Sequence, residues 1–190
     1  MDVRRSSVSY CSGVAFGGGI VAGVSRVTLV DVHMAGNIVK FNPLAGRLPY
    51  SFGGAVYSAA SSLQVLNCSF ANNTAFVGAV YVDGAPSVLG FSKRADQPAF
   101  FEDVVFRDNI ASACAGFLIS AASVQVRGMH VSNNRALGSH GGGLCMYWSS
   151  MVLHGNTSQF VGNVAVASGG GMYVESNSAL ISDAATPWSA

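Results

Sequence analysis

Apolar and polar residues alternate along this chain in short bursts, each closed by glycine or asparagine. Segments such as "AVYV" (79–82), "SLQVLNCSF" (62–70) and "SVQVRGMHV" (123–131) are β-branched and partly of period two. That is the pattern of short strands between turns. No stretch carries an amphipathic helical pattern of ten or more residues, so the chain reads as all-β.

The bursts recur in register. A glycine box followed by an apolar residue occurs six times, as "GGGI" (17–20), "GGAV" (53–56), "VGAV" (77–80), "AGFL" (115–118), "GGGL" (141–144) and "GGGM" (169–172). Its second position is Gly18, Gly54, Gly78, Gly116, Gly142 and Gly170. A second signature, apolar-x-x-Asn, alternates with it: "MAGN" (34–37), "FANN" (70–73), "FRDN" (106–109), "VSNN" (131–134) and "FVGN" (160–163). "VSYC" (8–11) stands at the matching distance before the first box, with Cys11 in the Asn place. The compact period is 24–29 residues. Two stretches holding Pro and Gly, about 41–50 and 84–97, lengthen it and read as loops.

Three short strands in a unit of this length describe one coil of a parallel β-helix, a solenoid in which each coil contacts its neighbours. Coils stack about 4.8 Å apart, so six to seven of them make a rod on the order of 30 Å long. Ile20, Val56, Val80, Leu118, Leu144 and Met172 are expected to point inward, and Met34, Phe70, Phe106, Val131 and Phe160 to form a second inward stack. Asn37, Asn73, Asn109, Asn134 and Asn163 are expected to form a ladder of amides inside one turn, satisfying groups that the bend strands. The box glycines suit a corner that needs positive φ, or one where coils approach closely. Residues 1–190 are expected to be one β-helix segment of a longer solenoid.

These signatures resemble the repeats of chlamydial polymorphic outer membrane proteins. "GGAV" (53–56), "FANNTA" (70–75), "FRDNIA" (106–111) and "GGGMYV" (169–174) carry the likeness. The resemblance implies a right-handed, pectin-lyase-like parallel β-helix at the cell surface, associated with the outer membrane or extracellular. It implies a non-enzymatic adhesive or structural role, with a protein or glycan surface ligand and adjoining coils of the parent protein as partners. The alternative in the same superfamily is a carbohydrate-active enzyme of the pectate lyase or polygalacturonase kind, or its inactive relative.

Composition narrows the function classes further. Half of the 190 residues are hydrophobic, 23 are Gly, and 10% are charged, with a net charge of +1. That balance gives no electrostatic footprint for nucleic acid. The longest stretches free of Asp, Glu, Lys and Arg, Leu48–Val82 and Ala136–Val174, are punctuated by Gly, Ser and Asn and are no apolar spans. Arg4 and Arg5 precede an apolar stretch as in a signal peptide, but the same residues fit the repeat. Cys11, Cys68, Cys114 and Cys145 show no metal-ligand spacing and read as small buried hydrophobes.

Several motifs invite chemistry. His140-Gly141-Gly142-Gly143 matches an oxyanion-hole loop, yet it is one of six boxes and no GxSxG elbow accompanies it. His140 is expected to fill a place that other coils give to Phe. Asp31, Asn67, Asp103, Gly128 and Thr157 form a column three residues before the Asn signature. Asp31 and Asp103 fall two coils, about 9–10 Å, apart, too far to share one Ca²⁺ and at the outer edge for an inverting glycosidase. A polar turn column is the expectation. His33 and His130 share an outward column three coils apart. No catalytic residue, metal ligand or cofactor is therefore expected. The strand after the box is apolar on both faces. Its outward positions Val21, Tyr57, Tyr81, Ile119, Cys145 and Tyr173 are expected to form a contact face for a partner or a sugar.

Overall fold

The computed structural model describes residues 1–40, 51–84, 98–155 and 157–182. All of its strand pairs are parallel. The first sheet holds Asp2–Ser9, Arg26–Ala35, Ser62–Leu66 with Ser69–Ala71, Ala99–Arg107, Ser123–Ser132, Ser150–His154 with Gln159–Val161, and Ala179–Ser182. The second holds Ser12–Gly13, Ile38–Val39, Thr74–Val77, Ile110–Ala113, Arg135–Ala136 and Val164–Ala165. The third follows the glycine boxes, with Ile20–Gly23, Val56–Ala59, Val80–Asp83, Phe117–Ser120, Leu144–Tyr147 and Met172–Glu175. One pass through the three sheets is one coil, and the molecule is a parallel β-helix. The expected loop at 41–50 lies outside the described residues. So does the one at 84–97, except for Gly84.

Single left-handed residues bend each coil at fixed places. The residue before every ladder Asn has positive φ: Gly36, Asn72, Asp108, Asn133 and Gly162, at 54–65°. Gly, Asn and Asp reach this region at least cost. A second left-handed column, Arg5, Asp31, Asn67, Asp103 and Gly128, bends the first sheet midway. The acidic column of the sequence therefore has a backbone cause.

The Asn side chains close their turn. From Asn73 on, each Oδ1 accepts the backbone N–H and an Nδ2–H of the ladder Asn one coil earlier. Asn73 Oδ1 takes both from Asn37 (3.0 and 3.0 Å), and Asn109 Oδ1 both from Asn73 (2.9 and 3.1 Å). Asn134 and Asn163 continue the pattern at 2.8–3.1 Å. The other Nδ2 hydrogen goes to a carbonyl three residues before the previous ladder place: Val8, Met34, Phe70, Phe106 and Val131, at 2.8–3.0 Å. The Asn of each signature is thus tied to the carbonyl of the apolar residue in the signature one coil earlier, so the two positions are linked from coil to coil. That is why they recur as a unit. Cys11 donates its N–H to Asn37 Oδ1 at 3.0 Å, occupying the ladder place in the first coil.

Inside the coils, Met34, Phe70, Phe106, Val131 and Phe160 pair in register. Phe70 and Phe117 stack on either side of Phe106, with centroids 5.1 and 5.2 Å away. The third sheet corrects two expected columns. Phe117, not Leu118, pairs with Val80 and Leu144. Leu118 moves to the outer face and Ile119 to the core. The cause lies in the corner. Left-handed residues stand at Gly17, Gly53, Gly78, Cys114, Gly141 and Gly169. Cys114 takes the corner that glycine holds elsewhere, so its coil starts one residue sooner than a count from Gly116 suggests. Of the six box glycines singled out above, Gly78 alone is such a corner. Gly18, Gly54, Gly116, Gly142 and Gly170 serve close approach instead: a Cβ on any of them meets backbone of a neighbouring segment at 3.0 Å or less.

Candidate functional site

Most of the outer face of the third sheet is covered. Tyr57, Tyr81, Leu118 and Cys145 are buried in a second apolar cluster outside the coil. The cover comes from the residue just before each box. Phe16 lies 4.7 Å from Tyr57, and Phe52 lies 5.3 Å from Tyr81. His140 repeats this relation one coil at a time further along, stacking on Tyr173 at 4.4 Å and 12°. Its Nδ1 is buried with no hydrogen-bond partner among the described residues, as suits a ring used for its face. Counted from the corner, the equivalents of His140 are Phe16, Phe52, Val77, Ala113 and Ser168, so two coils rather than three place Phe there.

Cys114 and Cys145 form a disulfide across adjacent coils within this cluster, with Cα atoms 5.4 Å apart. That corrects their reading as plain buried hydrophobes. Such a cross-link typically contributes about 2–4 kcal/mol. Cys68 is buried, and burial raises its thiol pKa, while Cys11 is exposed.

Burial pushes the phenols of Tyr57 and Tyr81 far above their ordinary range, and the Asp83 carboxylate that accepts a hydrogen bond from each adds to it. An unfolded chain releases such protons near about pH 10, whereas the folded chain keeps them. The folded state then binds more protons, so its stability falls as pH rises from there. Unfolding midpoints are expected to drop above about pH 10, with a shallower drop in Tyr57→Phe and Tyr81→Phe. A flat alkaline profile in the unsubstituted protein counts against this buried cluster.

The other sequence motifs come apart in space. Asp31 and Asp103 stand on left-handed backbone with Asn67 between them, and Asn67 Nδ2 donates to Asp31 Oδ1 at 2.7 Å. His33 Nδ1 lies 2.8 Å from Ser69 Oγ on the next coil. Among the described residues no three His, Cys, Asp or Glu side chains converge as metal ligands would. Val21 is exposed and Tyr173 half-buried, so these two alone of the expected contact face reach solvent appreciably.

The model of the right-handed β-helix region matches residues 2–164. The chain belongs to the right-handed β-helix family. Searches of the curated proteins and of the solved structures found no match. The family lies in a superfamily that includes carbohydrate-active enzymes.

Two surface features of this β-helix escaped the sequence reading. One is a groove of about 380 Å³ along the corner between the third and first sheets, with Ala60, Ser61, Asp83, Ala121, Gln125 and Ser150 in its walls. The other is an aromatic cluster at the far end of the third sheet. There Tyr147 has its ring centroid 6.3 Å from Trp148 and 6.0 Å from Tyr173, and Tyr173 donates to Glu175 Oε2 at 2.7 Å. That bond raises the Tyr173 pKa, and burial followed by the Glu175 charge raises that of Tyr147. Trp148 is 64% exposed. The sequence signal for it was a single Trp in a column that the earlier coils fill with Val24, Ala60, Gly84 and Ala121.

Proposed function

We propose that this β-helix is a non-enzymatic surface or secreted protein with an adhesive or structural role, as in the polymorphic outer membrane proteins whose repeats it resembles. The observation that carries this reading is the use to which its chemistry-bearing side chains are put. Asp31 and Asp103 sit where the backbone turns left-handed, the Asn amides bond one another, and His140 caps Tyr173. The Asn amides and His140 hold coils together, and the two Asp residues shape the bend of the first sheet. The disulfide between Cys114 and Cys145 supports folding in an oxidising compartment, as at a cell surface or outside the cell. A protein or glycan surface ligand and adjoining coils of a parent protein are the partners this role requires.

A carbohydrate-active enzyme is the second reading, and the groove walled by Asp83 favours it. The two separate in one experiment. Purified protein is incubated with polygalacturonate and other polyuronates while unsaturated products and reducing ends are followed, alongside binding to intact cell surfaces. Surface binding without turnover is the expected outcome. Catalytic release of either product overturns the non-enzymatic reading.

A further inference from the structure

We infer that Tyr147, Trp148, Tyr173 and Glu175 form a binding platform for an uncharged saccharide. The inference rests on the surface-binding role above and names its ligand class. Trp148 is the first reason. It occupies the corner after the third sheet, where the earlier coils place Val24, Ala60, Gly84 and Ala121, each bonded through its N–H to the next coil as Trp148 is to Ser176 O. The corner is left-handed, with Trp148 at φ 48° and Ala60 and Ala121 at 46° and 47°. That region suits Gly, Asn and Asp, yet Val24 and Ser176 also enter it, at φ 45° and 60°. What sets Trp148 apart is therefore a large aromatic ring at a corner whose other members are aliphatic or small. Nor does its ring serve the core, since it is 64% exposed.

The neighbours of Trp148 give the platform its chemistry. Tyr147 precedes it on the strand and is half-buried, so its ring is fixed while its edge reaches solvent. Tyr173 is held from behind by His140 and through its hydroxyl by Glu175. An exposed carboxylate beside fixed aromatic rings can accept hydrogen bonds from sugar hydroxyls while the rings pack against C–H faces. Charge selects within the saccharides. Glu175 is the platform's ionisable acid, and among the described residues no Lys or Arg lies on the third sheet. The described Arg residues belong to the first and second sheets. An acidic polysaccharide meets like charge here, whereas a neutral one does not.

The test is titration calorimetry of the whole chain with xylohexaose, cellohexaose, mannohexaose and laminarihexaose, and with a hexagalacturonide as the anionic arm. Trp148→Ala is the main variant, because Ala already fills this corner in two other coils. Its thermal midpoint is expected to match the unsubstituted protein. Tyr10→Ala removes another exposed aromatic elsewhere and serves as control. The expected result is binding of at least one neutral hexasaccharide, weakened roughly tenfold or more by Trp148→Ala and unchanged by Tyr10→Ala. Binding retained in Trp148→Ala, preference for the hexagalacturonide, or no saccharide binding at all overturns the inference. If no saccharide binds while cell surfaces still do, the surface role stands and the saccharide platform falls, with a protein as the ligand class. Cleavage of a hexasaccharide sinks the non-enzymatic role instead, and leaves the platform if Trp148→Ala still weakens binding.

Discussion

Asn109→Ala is expected to destabilise the β-helix by on the order of 3–6 kcal/mol. Three buried groups lose Asn109 as their partner, and Asn134 Oδ1 loses one of its two donors. The N–H and Nδ2–H of Asn73 lose Asn109 Oδ1, and the Phe70 carbonyl loses Asn109 Nδ2. Each buried group left unpaired costs about 1–3 kcal/mol, and water cannot replace the amide because Asn73 and Asn109 are fully buried. For a chain of this size 1 kcal/mol corresponds to about 2–4 °C in Tm, so the midpoint followed by circular dichroism should fall by at least about 6 °C. Asn109→Asp is expected to fail as a rescue. It keeps acceptor oxygens but offers no donor to Phe70, and it buries a carboxylate. Asn163→Ala should be milder, since Asn163 is only half-buried and solvent can take over its bonds. A midpoint for Asn109→Ala within about 2 °C of the unsubstituted protein sinks the idea that the ladder carries stability.

The ladder was legible in the sequence because it repeats with the coil. So was the inward stack of Met34, Phe70, Phe106, Val131 and Phe160, whose members pair at every layer. What repeats once per coil is forced by the stacking, and any single coil can be checked against the rest. The third-sheet register failed at one residue for an instructive reason. Glycine was used as the mark of the corner, whereas the backbone needs only a left-handed residue there, and Cys114 supplies it at φ 54°. A slip of one residue exchanges the faces of a strand, so Leu118 and Ile119 traded places and Ile119 went into the core. The covered outer face was illegible for a different reason. Phe16 and Phe52 stand in the turn before the box, and no strand periodicity tells which way a turn side chain points. Alternation showed that both faces of the strand were apolar, but not that the chain covers its own outer face. The aromatic platform shares this limit. Tyr147, Trp148 and Tyr173 come from two coils whose register the boxes predict correctly, but Trp148 stands in a turn, and no periodicity tells which way its ring points.

Gly142→Ala is expected to be as damaging as loss of a ladder amide, at about 3–5 kcal/mol. A Cβ at this position lies 2.5 Å from both Gly170 O and Val164 O, which are backbone atoms of the following coil. A flexible side-chain tip could swing aside, but these carbonyls belong to the coil itself. Moving them out to ordinary contact requires a shift of about 1 Å between coils held at one fixed spacing. Gly142 and Gly143 donate to Gly169 O and Gly170 O across that same seam, at 3.2 and 3.0 Å, so relieving the clash stretches bonds that stabilise the stack. The matched control is Gly171→Ala. It lies in the same kind of box, its φ is not positive, and its nearest contact among the described residues is the Phe160 Cβ at 3.9 Å. There the added methyl touches without clashing, and the unfolded chain loses freedom, so the effect should be neutral or slightly stabilising. Thermal midpoints of the two variants should therefore diverge although both are the same substitution in the same motif. Equal midpoints would remove the distance between coils as the reason for glycine at position 142. A large gap assigns the glycines to the distance between coils, which is the quantity every ladder in this fold depends on.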